Sequence, residues 1–361
     1  MRRLVTAVAL AALVLAAAPA RAHRAPERVA VGREAQSEFW REVMSPGARR
    51  AATLLRHGLG QIDALAGYRP EDQSGAAERR ALLEGAMRRF QMAHRLTPDD
   101  PEVLYALAWT TAAWQRREPT GAVRRMDDEA MALYQRLRTE HPDHQAQEVS
   151  FELGVLYTRG GRFSEAAREY QRSIALAPMA ADLTAALALN NLAEVTMLAG
   201  DVQQAVAHYE RALAVGDAAG DRRELVLWGL AVALDRLGEH RSALERATEA
   251  FSAGGNTTAS LHGSGVFFEP AYEIHWYEAL GHEAHAAVRD DAAGREASLR
   301  QAHRSFRRYL HEGGDESRWA DIARGHLTRL EAELPRASDA GRRPPGQSPR
   351  PGWQGPRTRR R

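Results

Sequence analysis

Small and large apolar residues recur at helical spacing between Leu153 and Pro178. Gly154 and Ala166 are small, and a tyrosine stands three or four residues after each, on the same face of a helix. Gly161 suits the left-handed conformation that ends many helices, and Pro178 cannot continue a helix. The pattern therefore predicts two antiparallel helices that approach closely, with the tyrosines filling the space beside the small residues.

The same register recurs along the chain, as it must if one helix pair cannot bury its own apolar face. The other copies, clearer downstream and weaker upstream, are centred on Leu192, Leu230, Phe90 and Tyr134. The turn glycines of the three clearest copies are 39 and 38 residues apart and stand at Gly161, Gly200 and Gly238. The chain is therefore predicted to contain an array of about five such helix pairs.

This pattern resembles the tetratricopeptide repeat (TPR), a helix–turn–helix unit of roughly 34 residues. The resemblance implies an all-α fold, an α-α superhelix or TPR-like solenoid of antiparallel helix pairs. It also implies a surface that binds a partner protein or peptide in its concave groove. Because the observed intervals exceed the family period, we expect lengthened helices or loops between units.

The predicted solenoid covers residues 23–335, with its clearest repeats in 101–253 and a diverged unit in 270–312. A capping helix in 316–334 has an apolar stripe and a polar outer face, which closes the exposed end of an array. The helices predicted nearer the two ends are 46–65, 76–96, 271–288 and 298–311.

Residues Phe251 to Pro270 interrupt the repeat pattern, since they contain several glycines and an apolar Val266-Phe267-Phe268 run. Long loops within arrays are often functional. Two interpretations stay open here. The phenylalanines pack into the edge of the solenoid, or the loop reaches into the groove and helps to contact a ligand.

The family resemblance also indicates which side chains line the concave groove. In similar repeats, ligand-facing positions lie two residues before and two after the leucine of each leucine–small pair, and an asparagine often binds the peptide backbone. Two arginines one turn further along could meet carboxylates. The binding residues implied in this way are Tyr105, Trp109, Phe151, Arg159, Asn190, Asn191, Glu194, Trp228 and Arg236. The alternative is that the aromatic members only pack adjacent first helices together.

The N-terminus has the form of a secretory signal peptide over residues 1–22. Arg2 and Arg3 precede an apolar stretch from Leu4 to Ala18, and small residues follow at a cleavage site. The stretch is shorter than the roughly 20 residues of a spanning helix. We expect a periplasmic or secreted protein of a Gram-negative-like bacterium, with no stable membrane span after cleavage; an uncleaved anchor is the alternative.

Composition narrows the chemistry further. The chain contains no cysteine, and all 49 basic residues are arginine. Disulfides, thiolate nucleophiles, a phosphate-loop lysine and Schiff-base chemistry are therefore excluded. Arginine-only usage with abundant alanine is typical of a GC-rich bacterial genome.

The formal net charge of +2 conceals an asymmetry. Residues 1–22 carry three arginines, and residues 336–361 carry eight arginines and one aspartate, which leaves about −8 on the rest. An acidic body is not the footprint of a nucleic-acid-binding domain, so we expect no nucleic-acid partner. The Arg/Pro-rich tail at 336–361 is predicted to be disordered, with weak contact to an anionic surface as one possible role.

Catalytic and metal-binding patterns are weak. His282 and His285 flank a glutamate, but the zinc-protease motif needs histidines four apart rather than three. No serine, histidine and acid are tied together by spacing, so we expect no enzyme activity, no cofactor and no metal.

The sequence thus favours a non-enzymatic interaction scaffold of the bacterial periplasm or cell envelope. The alternatives are a glycan- or peptidoglycan-associated envelope assembly factor, and a hydrolase or metalloprotein built on the 251–270 loop.

Overall fold

A computed structural model describes residues 45–65, 75–117, 123–178, 182–216, 223–263 and 266–334. The predicted signal peptide and basic tail lie outside these residues. Within them the chain forms thirteen α-helices: α1 (Pro46–Leu65), α2 (Ala76–Leu96), α3 (Pro101–Ala113), α4 (Asp127–Glu140), α5 (Ala146–Arg159), α6 (Phe163–Ala175), α7 (Leu183–Ala199), α8 (Val202–Gly216), α9 (Arg223–Arg236), α10 (His240–Ala253), α11 (Ile274–Ala287), α12 (Ala292–His311) and α13 (Ala320–Glu333).

Helix pairs follow one another along the chain, as an all-α solenoid requires. Each odd-numbered helix from α1 to α11 packs against the even-numbered helix that follows it, and those from α1 to α9 also pack against the next odd-numbered helix. We call the odd-numbered members the first helices. From α3 to α9 they bury most of their residues, because neighbours cover them on several sides, whereas the second helices bury one stripe. The all-α superhelix prediction is confirmed.

Local signals place the helix ends. Asp100 begins α3, where its carboxylate accepts hydrogen bonds from the backbone N–H groups of Glu102 and Val103 at 3.0 and 3.3 Å. The predicted turn glycines Gly161 and Gly200 have φ angles of 67° and 106°, which residues with a Cβ rarely adopt. Capping side chains and glycines therefore set the register of the array.

Neighbouring helices approach closely where a glycine meets a tyrosine, inside a pair at Gly154, as the pattern predicted, and between consecutive pairs at Gly229. A Cβ on Gly154 would lie 2.5 Å from Tyr170 Cε1, and one on Gly229 would lie 2.4 Å from Tyr209 Cε1. Both tyrosines are at most 1% exposed. These glycines let a second-helix tyrosine lie directly against the backbone of a first helix.

Three segments differ from the sequence predictions. A two-stranded antiparallel ribbon, β1 (Gln115–Arg117) with β2 (Val123–Arg125), stands where only an interruption was expected. Helix α12 begins at Ala292 rather than at 298, because Asp291 caps it by accepting from the Gly294 N–H. The segments predicted at 271–288 and 316–334 begin with short 3-10 turns at Ala271–Glu273 and Gly314–Glu316.

Two hydrophobic cores meet at α7. The N-terminal core contains buried residues from Ile62 to Val195, and the C-terminal core contains buried residues from Leu189 to Leu330. The far end of the chain also reaches α7, since the Arg318 guanidinium donates to the Ala199 carbonyl at 3.0 Å. Helix α7 is therefore the point at which both halves of the molecule converge.

Candidate functional site

Helix α7 carries a short polar strip on an otherwise apolar helix. Asn190 donates to Asn191 Oδ1 at 3.2 Å, and Asn191 donates to the Tyr170 hydroxyl at 3.4 Å. The Asn190 Oδ1 atom is buried and has no hydrogen-bond partner among the described residues. Since buried carbonyl oxygens are nearly always hydrogen-bonded, this oxygen marks a place where a donor from outside fits.

Glu194 lies one turn further along α7 and holds two phenols. The Tyr209 and Tyr277 hydroxyls each donate to Glu194 Oε2 at 2.7 Å. Burial raises the pKa of the Glu194 carboxyl above its ordinary value, although these two hydrogen bonds oppose the shift. Among the described residues no group donates to the other oxygen, Oε1.

The 251–270 loop lies over this strip. The central carbon of the Arg159 guanidinium lies over the Phe267 ring, 5.5 Å from the ring centroid. Phe268 packs edge-on against Tyr277, with the two ring centroids 5.0 Å apart. Leu261 is 2% exposed and belongs to the C-terminal core. Phe267 packs against the N-terminal core and Phe268 against the C-terminal core, which are the contacts of the interpretation in which the phenylalanines pack into the solenoid.

Loop and helices together enclose a partly open space that we call the inner cavity. Its volume is about 100 Å³. Among the polar and aromatic residues that line it are Asn190, Glu194, Trp228, Phe267, Glu269 and Tyr277. The cavity is thus walled by aromatic rings, and its lining contains two carboxylates and two amides.

The four aromatic residues predicted to line the groove are all buried. Tyr105, Trp109, Phe151 and Trp228 are between 0% and 3% exposed. Tyr105 packs edge-on against Tyr134, and Phe151 lies 6.0 Å from Tyr170. Their contacts are those of the alternative interpretation, in which first-helix aromatics pack between helices. Trp228 also lines the inner cavity, and its Nε1 atom has no partner among the described residues.

The two predicted arginines have different environments. Arg159 pairs with Asp127 at 3.3 Å and donates to the Ala112 carbonyl. Arg236 is fully buried, where it pairs with Glu273. Its guanidinium also lies over two rings at 4.8 and 5.1 Å, those of Trp276 and Trp319. Arg236 therefore belongs to the C-terminal core rather than to an open groove.

A charged cluster next to Arg236 was not evident from the sequence. Asp235 accepts from His240 Nδ1 at 2.7 Å, from the Trp276 indole at 2.8 Å and from His326 Nε2 at 2.9 Å. Burial alone would raise the pKa of Asp235, but the histidine hydrogen bonds outweigh it and hold the pKa well below its usual range. Burial would lower the pKa of His240, yet its contacts with Asp235 and Glu283 raise the pKa to about 9.

Asp235, His240 and His326 have the residue types of a metal site, with their ligand atoms within 4.8 Å of one another. The hydrogen bonds oppose that use. Arg329 Nη2 lies 3.1 Å from His326 Nδ1, and an arginine can only donate, so Nδ1 is the acceptor and Nε2 carries the proton. A metal would need the lone pair on Nε2. The cluster is better described as a hydrogen-bond network centred on Asp235.

The His282–His285 motif does not form a site of its own. Glu283 turns into the core, where it pairs with Arg329 at 2.6 Å, and His285 stacks on Phe251 at 5.1 Å. Sequence spacing could not reveal the partners that matter, because Tyr277 lies 83 residues from Glu194 and His326 lies 91 residues from Asp235. None of the helices in the described part of the chain is long and apolar enough to cross a membrane.

Comparison with known proteins identifies the repeats. Residues 184–253 and 102–144 match two family models, both described as tetratricopeptide repeat. The first covers α7 to α10 and the second covers α3 and α4. No curated protein sequence matches the chain significantly.

Several solved structures are similar in fold. MamA from Desulfovibrio magneticus RS-1 is 19% identical, with a TM-score of 0.40 over 51% of this chain and 93% of that one. A tetratricopeptide repeat protein from Parabacteroides merdae is 15% identical, with a TM-score of 0.43 over 82% and 89%. The APC/C hetero-tetramer Cut9-Hcn1 is 17% identical, with a TM-score of 0.46 over 82% of this chain and 44% of that one.

The family models fall on helix pairs whose small–large register, turn glycines and consecutive packing were described above. The TPR prediction is confirmed. The fold is that of a scaffold for protein–protein interaction, and the chain contains tetratricopeptide repeats at residues 102–144 and 184–253.

Proposed function

We propose that this protein is an exported, non-enzymatic scaffold of the bacterial envelope that binds a partner protein or peptide against the α7 strip and the inner cavity. The observation that carries the proposal is the polar strip on α7. Asn190 and Glu194 line a partly open cavity, and Asn190 Oδ1 is buried without a donor from the described residues. A bound chain would supply donors there.

The shape and chemistry of the strip suit an extended peptide. Asn191 holds a hydroxyl and an amide in place, and aromatic rings around the cavity offer apolar contact. A binding pocket is generally apolar with a few convergent polar groups, and this cavity has that composition. Because Tyr105, Trp109 and Phe151 are buried, these three residues are not available for stacking on sugars, which favours a peptide over a glycan.

Export is proposed from the N-terminal pattern of Arg2, Arg3 and the apolar stretch to Ala18. Intact-mass measurement of protein purified from its native host tests this. A mass that corresponds to a chain beginning at residue 21 or 23 supports cleavage, whereas a species that begins at Met1 contradicts it.

A photo-crosslinking experiment tests the binding surface. A benzophenone amino acid replaces Phe267, which borders the cavity, or Leu176, which is 41% exposed at the end of α6. Irradiation in the native host is expected to give a discrete adduct from position 267 and none from position 176. Equal adducts from both positions, or no adduct from position 267, would contradict the proposal.

The captured partner is then purified and titrated onto the full chain. Asn191→Ala is expected to weaken its binding at least fivefold, because the amide organises the strip. Gln204→Ala, an exposed amide on α8, is the matched control and is expected to leave the affinity unchanged. An Asn191→Ala variant with wild-type affinity would place the partner elsewhere.

A further inference from the structure

The inner cavity presents acceptor oxygens to a guest. Glu194 lines it, and its described lining contains no arginine, lysine or histidine. Glu194 Oε2 is held by two phenol hydrogens, which leaves Oε1 to accept from a guest. Asn190 Oδ1 adds a second acceptor that is buried and unpartnered among the described residues. The arrangement is complementary to a positively charged donor.

The walls of the cavity suit a cation as well. Trp228, Tyr209 and Tyr277 present rings from the helices, and Phe267 and Phe268 present rings from the loop. A cation that lies against aromatic faces is attracted by the negative face of each ring, most strongly where water is excluded. Carboxylates inside an aromatic enclosure are the chemistry that recognises an alkylammonium group.

Size distinguishes among cations. The cavity volume is about 100 Å³, below the roughly 150 Å³ of an apolar cavity that holds benzene. A lysine carries a compact ammonium on a thin four-carbon stem, whereas the guanidinium of arginine is a planar fork that needs acceptors on several sides. The acceptors here converge on one small space, which fits the ammonium.

We infer that the inner cavity receives the side-chain ammonium of a lysine on the bound partner, with Glu194 as its counter-ion and the surrounding aromatic rings as its walls. The inference rests on the proposed function, because the lysine belongs to that partner. The 361 residues of this chain contain no lysine, so neither another segment of it nor a second copy can supply the group.

The position of Glu194 is fixed by its neighbours. Tyr209 lies directly on the backbone of Gly229, and Tyr277 reaches the same carboxylate from α11. The carboxylate is thus held from two helices before a guest arrives. Such preorganisation lowers the ordering cost of binding.

The test uses small probes on the full chain, labelled with 5-fluorotryptophan and followed by ¹⁹F NMR. The chain has seven tryptophans, and the Trp228 resonance is assigned with Trp228→Phe. N-acetyl-lysine methylamide is expected to shift that resonance and to saturate. N-acetyl-norleucine methylamide, its uncharged analogue, and N-acetyl-arginine methylamide are expected to bind at least tenfold more weakly.

Two variants test whether the negative charge of Glu194 is needed for binding of the lysine probe. Glu194→Gln keeps the size and an acceptor for the tyrosines, and it is expected to weaken the lysine probe at least tenfold. Glu210→Gln, an exposed carboxylate on α8, is the matched control and is expected to bind as the wild type does. Thermal unfolding of both variants verifies that each is folded.

Equal binding of the lysine and norleucine probes would reduce the cavity to an apolar pocket and overturn the inference. Tighter binding of the arginine probe, or unchanged binding by folded Glu194→Gln, would overturn it too. The proposed function is judged separately by the crosslinked partner. If the partner binds equally well after all its lysines are acetylated, the proposed scaffold function is supported and the lysine-binding inference is wrong.

Discussion

The N-terminal and C-terminal cores meet at α7 but bury their polar groups in different ways. In the N-terminal core, Thr110, Thr111 and Thr158 donate to the carbonyl four residues earlier in the same helix, at 2.6–2.9 Å. Its one charged residue in the buried class, among those the structure describes, is Glu152, whose Oε1 has no partner. Its buried threonines are thus satisfied within their own helices.

The C-terminal core buries charges in pairs that join distant helices. Arg236 pairs with Glu273, and Glu283 pairs with Arg329 from α13. Asp235 also binds His326 from α13. The capping helix is therefore held by charge complementarity as well as by its apolar stripe. The difference shows that one repeat pattern can be stabilised by local packing in one half and by long-range ion pairs in the other.

The largest expected effect tests the ionic half. Arg236→Met leaves Glu273 buried without its partner, and breaking a buried pair on one side costs about 3–5 kcal/mol. Urea unfolding is expected to report a loss of that size in the free energy of unfolding. Hydrogen exchange is expected to rise first in α9 and in α11 to α13.

The double variant Arg236→Met/Glu273→Leu is the control for charge against packing. Replacing both members of a buried pair with apolar residues is often neutral or stabilising, so most of the loss is expected to be recovered. A double variant as unstable as the single one would mean that the contacts of Arg236 with Trp276 and Trp319 matter more than its charge.

Sequence reasoning succeeded where structure depends on neighbours along one helix. The bounds of α1 and α2 follow from apolar spacing, and the turn glycines Gly161, Gly200 and Gly238 adopt the predicted left-handed conformation. Gly154 and Tyr170 meet as the small–large pattern requires. These features repeat with the unit and need no knowledge of distant segments.

Sequence reasoning could not predict the contacts that distant segments make. Phe267 and Phe268 enter the inner cavity only because the loop folds back over α7. Tyr105, Trp109 and Phe151 were placed in the groove by their position in the repeat, but neighbouring helices cover them. Whether a side chain faces ligand or helix depends on the angle between units, and residue spacing does not contain that angle.

The next largest effect tests packing in the N-terminal core. Tyr170 is fully buried against Gly154, so Tyr170→Ala is expected to cost about 3 kcal/mol. Tyr170→Phe keeps the ring and loses only the contacts with Thr158 and Asn191, and about 1 kcal/mol is expected. Thermal or urea unfolding measures both. Equal losses would show that this core, too, depends on its polar contacts.

Glu152 gives the N-terminal core a pH dependence in the acidic range. Burial raises its pKa from 4.5 to about 7, although Arg159 opposes the shift. The folded state therefore binds the proton more tightly than the unfolded state, and stability falls as the pH rises from 4.5 through 7, by at most about 3 kcal/mol. In Glu152→Gln, hydrogen exchange of α5 is expected to lose this dependence; an unchanged profile would assign it to another group.

The smallest effect concerns His240 and lies at higher pH. Contacts with Asp235 and Glu283 raise its pKa to about 9 from an ordinary 6.5. Its stabilisation is complete below pH 6.5 and is lost as the pH rises through 9, on the order of 1–2 kcal/mol after allowance for partial exposure. His240→Gln is expected to remove the pH dependence of hydrogen-exchange protection in α10 and α13 over that range. His311→Gln, at an exposed histidine, is expected to leave that dependence unchanged. Because the pKa of Glu152 is lower than that of His240, the two halves should lose stability in successive pH ranges. A single pH range for both would mean that the array unfolds as one unit, so that the difference between its cores does not appear as a difference in stability.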